Sequence, residues 1–222
     1  GKKVYCVVMT NGGNWEKKTY EDRLDEQKNS FNHLSIDKVI YGPCQDGNIK
    51  HIPNLIDFIS EIIRKYQIDT IITHYKNDTH QDHKATSLIS KSASINCKNL
   101  LYFESLTSID FKPNFFVEIN TYEKEKQKVL SYFTSQNDKY NSRNQSLIDF
   151  VNAKDRLNGI KIREKYAEGL KGLEGYSHVQ ILWWMDGCDN ASDRGTLVEE
   201  KPYRNGPDEI GVFALRSPER PN

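Results

Sequence analysis

The chain has 222 residues, of which 36% are hydrophobic and 28% charged, which permits one sizeable core or two smaller ones. Its 31 basic and 31 acidic residues cancel, so no overall field draws it to nucleic acid or to a membrane surface, although a local basic patch is not excluded. It has no signal-peptide pattern, no apolar run of transmembrane length and no Cys-x-x-Cys pair among its four cysteines. We therefore expect reduced thiols, a cytoplasmic location and no membrane partner.

Short apolar runs alternate with helical patterns through most of the chain. Strands are predicted for residues 4–10, 38–41, 70–73, 100–103 and 115–119. Helices are predicted for residues 20–34, 53–66, 83–95, 122–134 and 145–157. This alternation predicts an α/β fold, with a Rossmann-like, mostly parallel sheet and helices on both faces.

The composition changes near Gly159. Eight of the 13 glycines lie at or beyond that residue, and four of the seven prolines lie beyond residue 200. Residues 179–184 and 211–215 are predicted strands within this turn-rich sequence. We therefore predict two domains, one over residues 1–159 and a separate β-rich segment over residues 160–222.

Three of the six histidines lie within eleven residues, at His74, His80 and His83, together with Asp78 and Asp82. The cluster joins a predicted strand to a predicted helix, so it lies at the carboxyl end of the strands, where open α/β sheets bind ligands. His80 and His83 are three residues apart, which lets both imidazoles face one small volume. Imidazole with carboxylate suits zinc, but the same residues can also form a polar loop that only caps the helix, and spacing alone leaves both interpretations open.

The segment from His80 to His83 resembles the His-Pro-Asp-His motif of the PIG-L/LmbE family of zinc-dependent N-deacetylases, with Gln81 in place of the proline. Three further segments resemble that family in the same order along the chain, at residues 7–13, 102–105 and 111–119. The resemblance covers roughly residues 1–168.

This resemblance implies zinc-dependent hydrolysis of an N-acetyl group from an amino sugar or a related small molecule. It implies that His83 is a metal ligand and that His80 is the catalytic group that stabilises the oxyanion and protonates the leaving amine. It also places Asp82 in the catalytic set, as a support for these groups.

The strand that ends in His-Pro-Asp-Asp in that family, with two metal ligands and the general base, has no counterpart in this sequence. Catalytic zinc usually has three protein ligands, so we expect the chain to lack metal affinity unless Asp78, His74 or another chain substitutes. We also expect the neighbours of that strand to keep unpaired edges or to pair with each other.

The end of the chain resembles a second family. Residues 166–178 and 211–222 are similar to the TsaA/TrmO family of β-barrel, S-adenosylmethionine-dependent tRNA methyltransferases. The resemblance implies a partial β-barrel-like segment, tRNA as a partner, and S-adenosylmethionine bound by residues near the end of the chain, Arg216, Ser217, Arg220 and Asn222. Two arginines could clamp an oxyanion, whereas the alternative from the residues alone is an exposed polar tail.

The sequence therefore predicts a metal-dependent N-deacetylase domain joined to an incomplete methyltransferase-like segment. S-adenosylmethionine-dependent tRNA methylation is the alternative function. A catalytically dead fragment or chimera is the third hypothesis, and the oligomeric state is left open.

Overall fold

The computed structural model describes residues 3–10, 20–172, 198–200 and 209–211. The strands within these ranges are β1 (Tyr5–Thr10), β2 (Lys38–Cys44), β3 (Thr70–His74), β4 (Asn99–Phe103), β5 (Phe115–Glu118), β6 (Ala167–Gly172), β7 (Val198–Glu200) and β8 (Glu209–Gly211). The helices are α1 (Tyr20–Leu34), α2 (Pro53–Tyr66), α3 (Gln81–Ala93), α4 (Glu123–Ser131), α5 (Thr134–Asn141) and α6 (Leu147–Lys161), with a short 3-10 helix at Ser94–Asn96. None of these helices is both long enough and apolar enough to cross a lipid bilayer.

The described strands form three sheets. β1 pairs with β2 in parallel, and a four-stranded sheet has the order β3-β4-β6-β5. β3 and β4 are parallel, but β6 runs antiparallel to both β4 and β5. The predicted α/β class is confirmed, whereas the prediction of a mostly parallel sheet is wrong. The prediction fails because β6 lies between β4 and β5 and runs antiparallel to both. Hydrophobic periodicity identifies strands but does not indicate their relative direction.

β1 and β3 belong to different sheets and do not pair with each other. They nevertheless share one apolar core, in which Met9 from β1 and Ile71 from β3 pack with residues of α2 and α3. The expectation for the neighbours of the strand that has no counterpart stays a prediction.

Helix α2 follows its sequence signals closely. Pro53 occupies the first turn, where a missing N–H costs nothing, and Gln67 ends the helix in the left-handed conformation with φ of 52°. The apolar side chains of one helix face are buried: Leu55, Ile59, Ile62 and Ile63. Each contributes about 1.5–3 kcal/mol to the free energy of folding. The predicted apolar stripe is therefore core.

The helix predicted over residues 122–134 corresponds to α4, and a further helix, α5, begins at Thr134 and was not predicted. Phe133 leaves the helical conformation, with φ of −84° and ψ of 62°. The buried Glu26 carboxylate, far away in sequence, accepts hydrogen bonds from the Ser135 N–H at 2.7 Å and from the hydroxyls of Ser135 and Thr134 at 2.6 and 2.8 Å. These bonds satisfy free N-terminal groups of α5, so a carboxylate from α1 stabilises the start of this helix.

The chain divides into two compact units, residues 1–177 and 178–222. In the second unit the described residues form only the antiparallel pair of β7 and β8. The strand predicted over 179–184, most of the strand predicted over 211–215 and the partial barrel lie outside the described residues. The domain boundary at residue 159 stays a prediction, and β6, which lies beyond it, pairs within the four-stranded sheet of the first unit.

Candidate active site at the carboxyl end of β3

A buried aspartate organises the loop between β3 and α3. Asp78 has no exposed surface. Its Oδ2 accepts hydrogen bonds from the hydroxyls of Ser105 at 2.5 Å and Ser108 at 3.2 Å, and its Oδ1 accepts one from the His80 N–H at 2.8 Å. Burial alone would raise the pKa of Asp78, but hydrogen bonds from Ser105, Thr107 and His80 outweigh it and hold the pKa well below its usual range. The carboxylate is therefore ionised at neutral pH.

The register of the sheet explains why residues 105–108 reach this loop. β3 and β4 are parallel and in register, with His74 opposite Phe103 at their last pair. The segments that follow the two strands therefore leave the sheet side by side. They are joined by hydrogen bonds from the Thr79 N–H to the Thr107 carbonyl and from the Ile109 N–H to the Asn77 carbonyl, at 2.9 and 2.8 Å.

Asp78 also orients His83. The His83 Nδ1 lies 3.1 Å from Asp78 Oδ2 and 3.2 Å from the Thr107 hydroxyl. Because the carboxylate can only accept, Nδ1 donates, and the Nε2 lone pair of neutral His83 is left available for a ligand or a proton. Burial lowers the pKa of His83, and the nearby Asp78 charge opposes this effect without cancelling it.

The three histidines form a stack with His83 in the middle. The His74 and His83 ring centroids are 3.9 Å apart with planes at 10°, and those of His80 and His83 are 4.4 Å apart with planes at 19°. Burial, and then the neighbouring His83, lower the pKa of His74 to about 4, and its Nδ1 is buried without a hydrogen-bond partner. His74 is consequently neutral at pH 7.

His80 begins helix α3 and faces solvent. Its Nδ1 accepts a hydrogen bond from the Asp82 N–H at 3.2 Å, which caps the helix and leaves the proton of the neutral ring on Nε2. The expectation that a histidine of this loop caps the helix is thus correct for Nδ1 of His80. The Nε2–H on the other side of the ring is free to donate to a bound molecule.

Asp82 points to the loop between β2 and α2. Its carboxylate is buried and accepts hydrogen bonds from the backbone N–H groups of Gly47 at 2.6 Å and Ile49 at 3.1 Å. The adjacent Gln81 amide donates to the Gly47 carbonyl at 2.5 Å. Asp82 therefore ties this loop to the start of α3, and its catalytic role stays a prediction.

The side chains in the described part of the chain do not complete a zinc site. No group of three or more histidine, cysteine, aspartate or glutamate side chains there is placed to hold a metal ion. His83 offers one oriented nitrogen. His74 is stacked parallel to it, so their lone pairs do not converge, and Asp78 is occupied by its hydrogen bonds. Neither residue replaces the missing ligands, and a catalytic zinc normally needs three.

The predicted cofactor residues Arg216, Ser217, Arg220 and Asn222 lie outside the described residues. They are therefore not placed relative to β7 and β8.

Family models of the same two families match separate parts of the chain. Residues 1–94 match the PIG-L family, described as GlcNAc-PI de-N-acetylase, and residues 137–222 match the tRNA-methyltransferase O N-terminal domain. Residues 1–94 are therefore similar to the PIG-L family and residues 137–222 to the TrmO domain, and the labels PIG-L segment and TrmO segment refer to these ranges. Both predicted resemblances are thereby confirmed. The TrmO match begins at residue 137 and thus includes α6 and β6, which the first unit contains.

Curated relatives of the TrmO segment are described as S-adenosyl-L-methionine-binding proteins. One from Archaeoglobus fulgidus is 38% identical over 68 residues, which is 31% of this chain and 45% of the relative. VirR of Rhizobium radiobacter, a probable protein of this kind, is 42% identical over 64 residues, 28% of this chain and 33% of the relative. The chain spans less than half the length of these relatives.

Solved structures share the fold of the first unit at low identity. A conserved protein from Thermus thermophilus superposes with a TM-score of 0.71 at 18% identity, over 82% of this chain and 86% of its own. The N,N'-diacetylchitobiose deacetylase of Pyrococcus horikoshii gives 0.63 at 20% identity, over 80% and 75%. GalB, a 4-carboxy-2-hydroxymuconate hydratase from Pseudomonas putida, gives 0.67 at 14%, over 81% and 87%. One fold thus carries two reaction types, so the reaction must be argued from the site.

Sequence reasoning missed the hydroxyl cluster that surrounds Asp78. Asp78 lies within the histidine cluster, but Thr107 and Ser108 carry no motif of their own. The two strands themselves are predicted, at residues 70–73 and 100–103, but their pairing is not, and it is the parallel pairing that delivers the loops that follow them to the same place.

Proposed function

We propose that the PIG-L segment belongs to an N-deacetylase that hydrolyses an N-acetyl group on an amino sugar or a related small molecule. The observation that carries this proposal is the orientation of His83 by the fully buried Asp78, with His80 stacked beside it. The PIG-L match over residues 1–94 and the deacetylase among the structures of the same fold support the same reaction class.

The reaction adds water to the amide carbonyl, breaks the C–N bond and delivers a proton to the departing amine. His80 is the proposed proton donor, because its exposed ring carries hydrogen on Nε2 while Nδ1 is held by the helix N-terminus. The same N–H can stabilise the negative charge that develops on the carbonyl oxygen.

His83 is the proposed metal ligand, through its Nε2. A zinc ion held there would lower the pKa of a bound water and so supply the nucleophile. Since the described residues supply one zinc ligand rather than three, we derive no metal-dependent step from them.

The test combines zinc content with acetate release from N-acetylglucosamine and N,N'-diacetylchitobiose. About one zinc per folded chain, measurable acetate release for the wild type and a loss of about 100-fold or more in release for His83→Ala would support the proposal, with the further zinc ligands supplied by another chain. His51→Ala is the matched control, because His51 lies outside the stack and contacts Ser92 at 2.9 Å. A wild-type chain that binds no zinc and releases no acetate, or a His83→Ala variant as active as wild type, would refute the proposal for this polypeptide.

We also propose a second function, carried by the TrmO match over residues 137–222 and by relatives described as S-adenosyl-L-methionine-binding. In this proposal Arg216, Ser217, Arg220 and Asn222 contact S-adenosylmethionine, and the methyl group is transferred to tRNA.

Titration calorimetry with S-adenosylmethionine tests it. Saturable binding should weaken at least about tenfold in Arg216→Ala and stay unchanged in Arg64→Ala, an exposed arginine of α2. Transfer of a labelled methyl group to tRNA then tests the reaction. Absence of binding would leave the deacetylase proposal untouched, and failure of both tests would favour the catalytically inactive fragment or chimera.

A further inference from the structure

Gln81 stands at the position where this chain departs from the motif that it resembles. It is the first residue of α3, and His80 before it has an extended backbone, with φ of −78° and ψ of 122°. A proline at this position would hold its own φ near the helical value and restrict the preceding residue to extended conformations. A glutamine leaves the backbone of His80 free to adopt other conformations unless a contact from elsewhere restricts it.

The Gln81 side chain makes a contact that a proline cannot make. Its amide donates a hydrogen bond to the Gly47 carbonyl at 2.5 Å. The next residue, Asp82, accepts hydrogen bonds from the N–H groups of Gly47 at 2.6 Å and Ile49 at 3.1 Å. Both backbone polar groups of Gly47 are thus bound by two consecutive side chains from the first turn of α3. We refer to Gln81, Asp82 and Gly47 as the Gly47 clamp.

The loop that carries Gly47 is itself held in place. Ile49 is buried in the apolar core with residues of α2 and α3. The Asn48 N–H donates to the Gln45 carbonyl at 3.1 Å, which closes a turn around Gly47. Gly47 has φ of 76°, in the left-handed region that glycine adopts without strain. Because the core and this turn hold the loop, the Gly47 clamp restrains the start of α3.

We propose that Gln81 is a positioning residue for His80, and that its hydrogen bond to Gly47 replaces the restriction that a proline would impose. The inference rests on the proposed role of His80 as the proton donor. The Asp82 N–H donates to His80 Nδ1 at 3.2 Å, a cap that requires an extended His80 and a helix that begins at residue 81. By holding this geometry, Gln81 fixes the direction of the His80 Nε2–H that faces a bound molecule.

Hydrogen exchange of the Asp82 amide, measured by NMR on the full chain, tests the proposal without any activity, because this N–H is the group that binds His80 Nδ1. The Gln81 side chain is exposed, so water can replace its contact with Gly47 and the effect is moderate. In Gln81→Ala the Asp82 amide should exchange about three- to tenfold faster than in the wild type. In Gln81→Pro it should return to the wild-type rate, although proline cannot donate to Gly47. A role limited to tying the two segments together would not be rescued in this way.

Two controls accompany this measurement. Gln145→Ala makes the same substitution at an exposed glutamine before α6 and should leave the exchange of the Asp82 amide unchanged. The amide of the buried Ile89, in the middle of α3, should exchange at the wild-type rate in every variant, which shows that the helix stays folded. Equal exchange of the Asp82 amide in Gln81→Ala and wild type, or exchange in Gln81→Pro as fast as in Gln81→Ala, would overturn the proposal.

Acetate release separates this inference from the proposed function. In Gln81→Ala, kcat for N,N'-diacetylchitobiose should fall about three- to tenfold with KM unchanged, because the proton donor is misplaced and the bound substrate is not. Gln81→Pro should restore kcat. A KM that rises while kcat stays unchanged would overturn the positioning role. A wild type that releases no acetate would refute the proposed function, and the exchange of the Asp82 amide would still decide whether Gln81 positions His80.

Discussion

The histidine stack predicts a specific loss of stability on mild acidification. His74 is held neutral with a pKa of about 4, chiefly by burial, whereas histidine in an unfolded chain titrates near about 6.5. Between these two pH values the imidazole is protonated in the unfolded chain but not in the folded chain. The free energy of unfolding is therefore highest above the unfolded pKa and falls as the pH drops toward the folded pKa. For a shift of this size, lowering the pH from about 7.5 to about 5 removes about 2 kcal/mol from the free energy of unfolding.

The comparison is between wild type and His74→Phe, which keeps an aromatic ring in the stack and removes the titration. Urea unfolding of the metal-free protein is followed by circular dichroism at the helical band. All the described helices lie in the first unit, which also contains His74, so their signal reports on the unfolding of that unit. We expect the wild type to lose about 2 kcal/mol more than His74→Phe between the two pH values. His51→Ala, which removes a histidine outside the stack, should lose as much as the wild type. Equal pH dependence in wild type and His74→Phe would refute the reasoning, because it would mean that His74 is protonated as readily in the fold as in the unfolded chain.

Two further changes test contacts that position the site. Asp82→Ala removes the acceptor of the Gly47 and Ile49 N–H groups and should lower the free energy of unfolding by about 2–4 kcal/mol. Asp82→Asn should have an intermediate effect. Urea titration of the wild type and both variants measures the effect, and equal midpoints would contradict the prediction. Gly169→Ala would place its Cβ 2.9 Å from both the Pro113 Cβ and the Asn158 side-chain nitrogen, and should cost about 1–3 kcal/mol, seen as a lower thermal midpoint; an unchanged midpoint would contradict this prediction.

Local sequence determined the elements and the place of the candidate site. The helix α2 could be predicted to within a residue, because its starting proline and apolar stripe are signals that neighbouring residues carry. The loop from His74 to His83 could be assigned to the carboxyl end of a strand for the same reason, and the two family resemblances followed from short contiguous motifs.

Tertiary structure alone decided which groups meet. The Glu26 carboxylate accepts hydrogen bonds from the first turn of α5 from more than a hundred residues away, and the antiparallel position of β6 between β4 and β5 reflects pairing that periodicity does not encode. The ionised, buried state of Asp78 depends on hydroxyls delivered by the segment that follows the neighbouring strand. Composition and spacing report interactions along one element, whereas burial and charge state depend on contacts between elements that are distant in sequence.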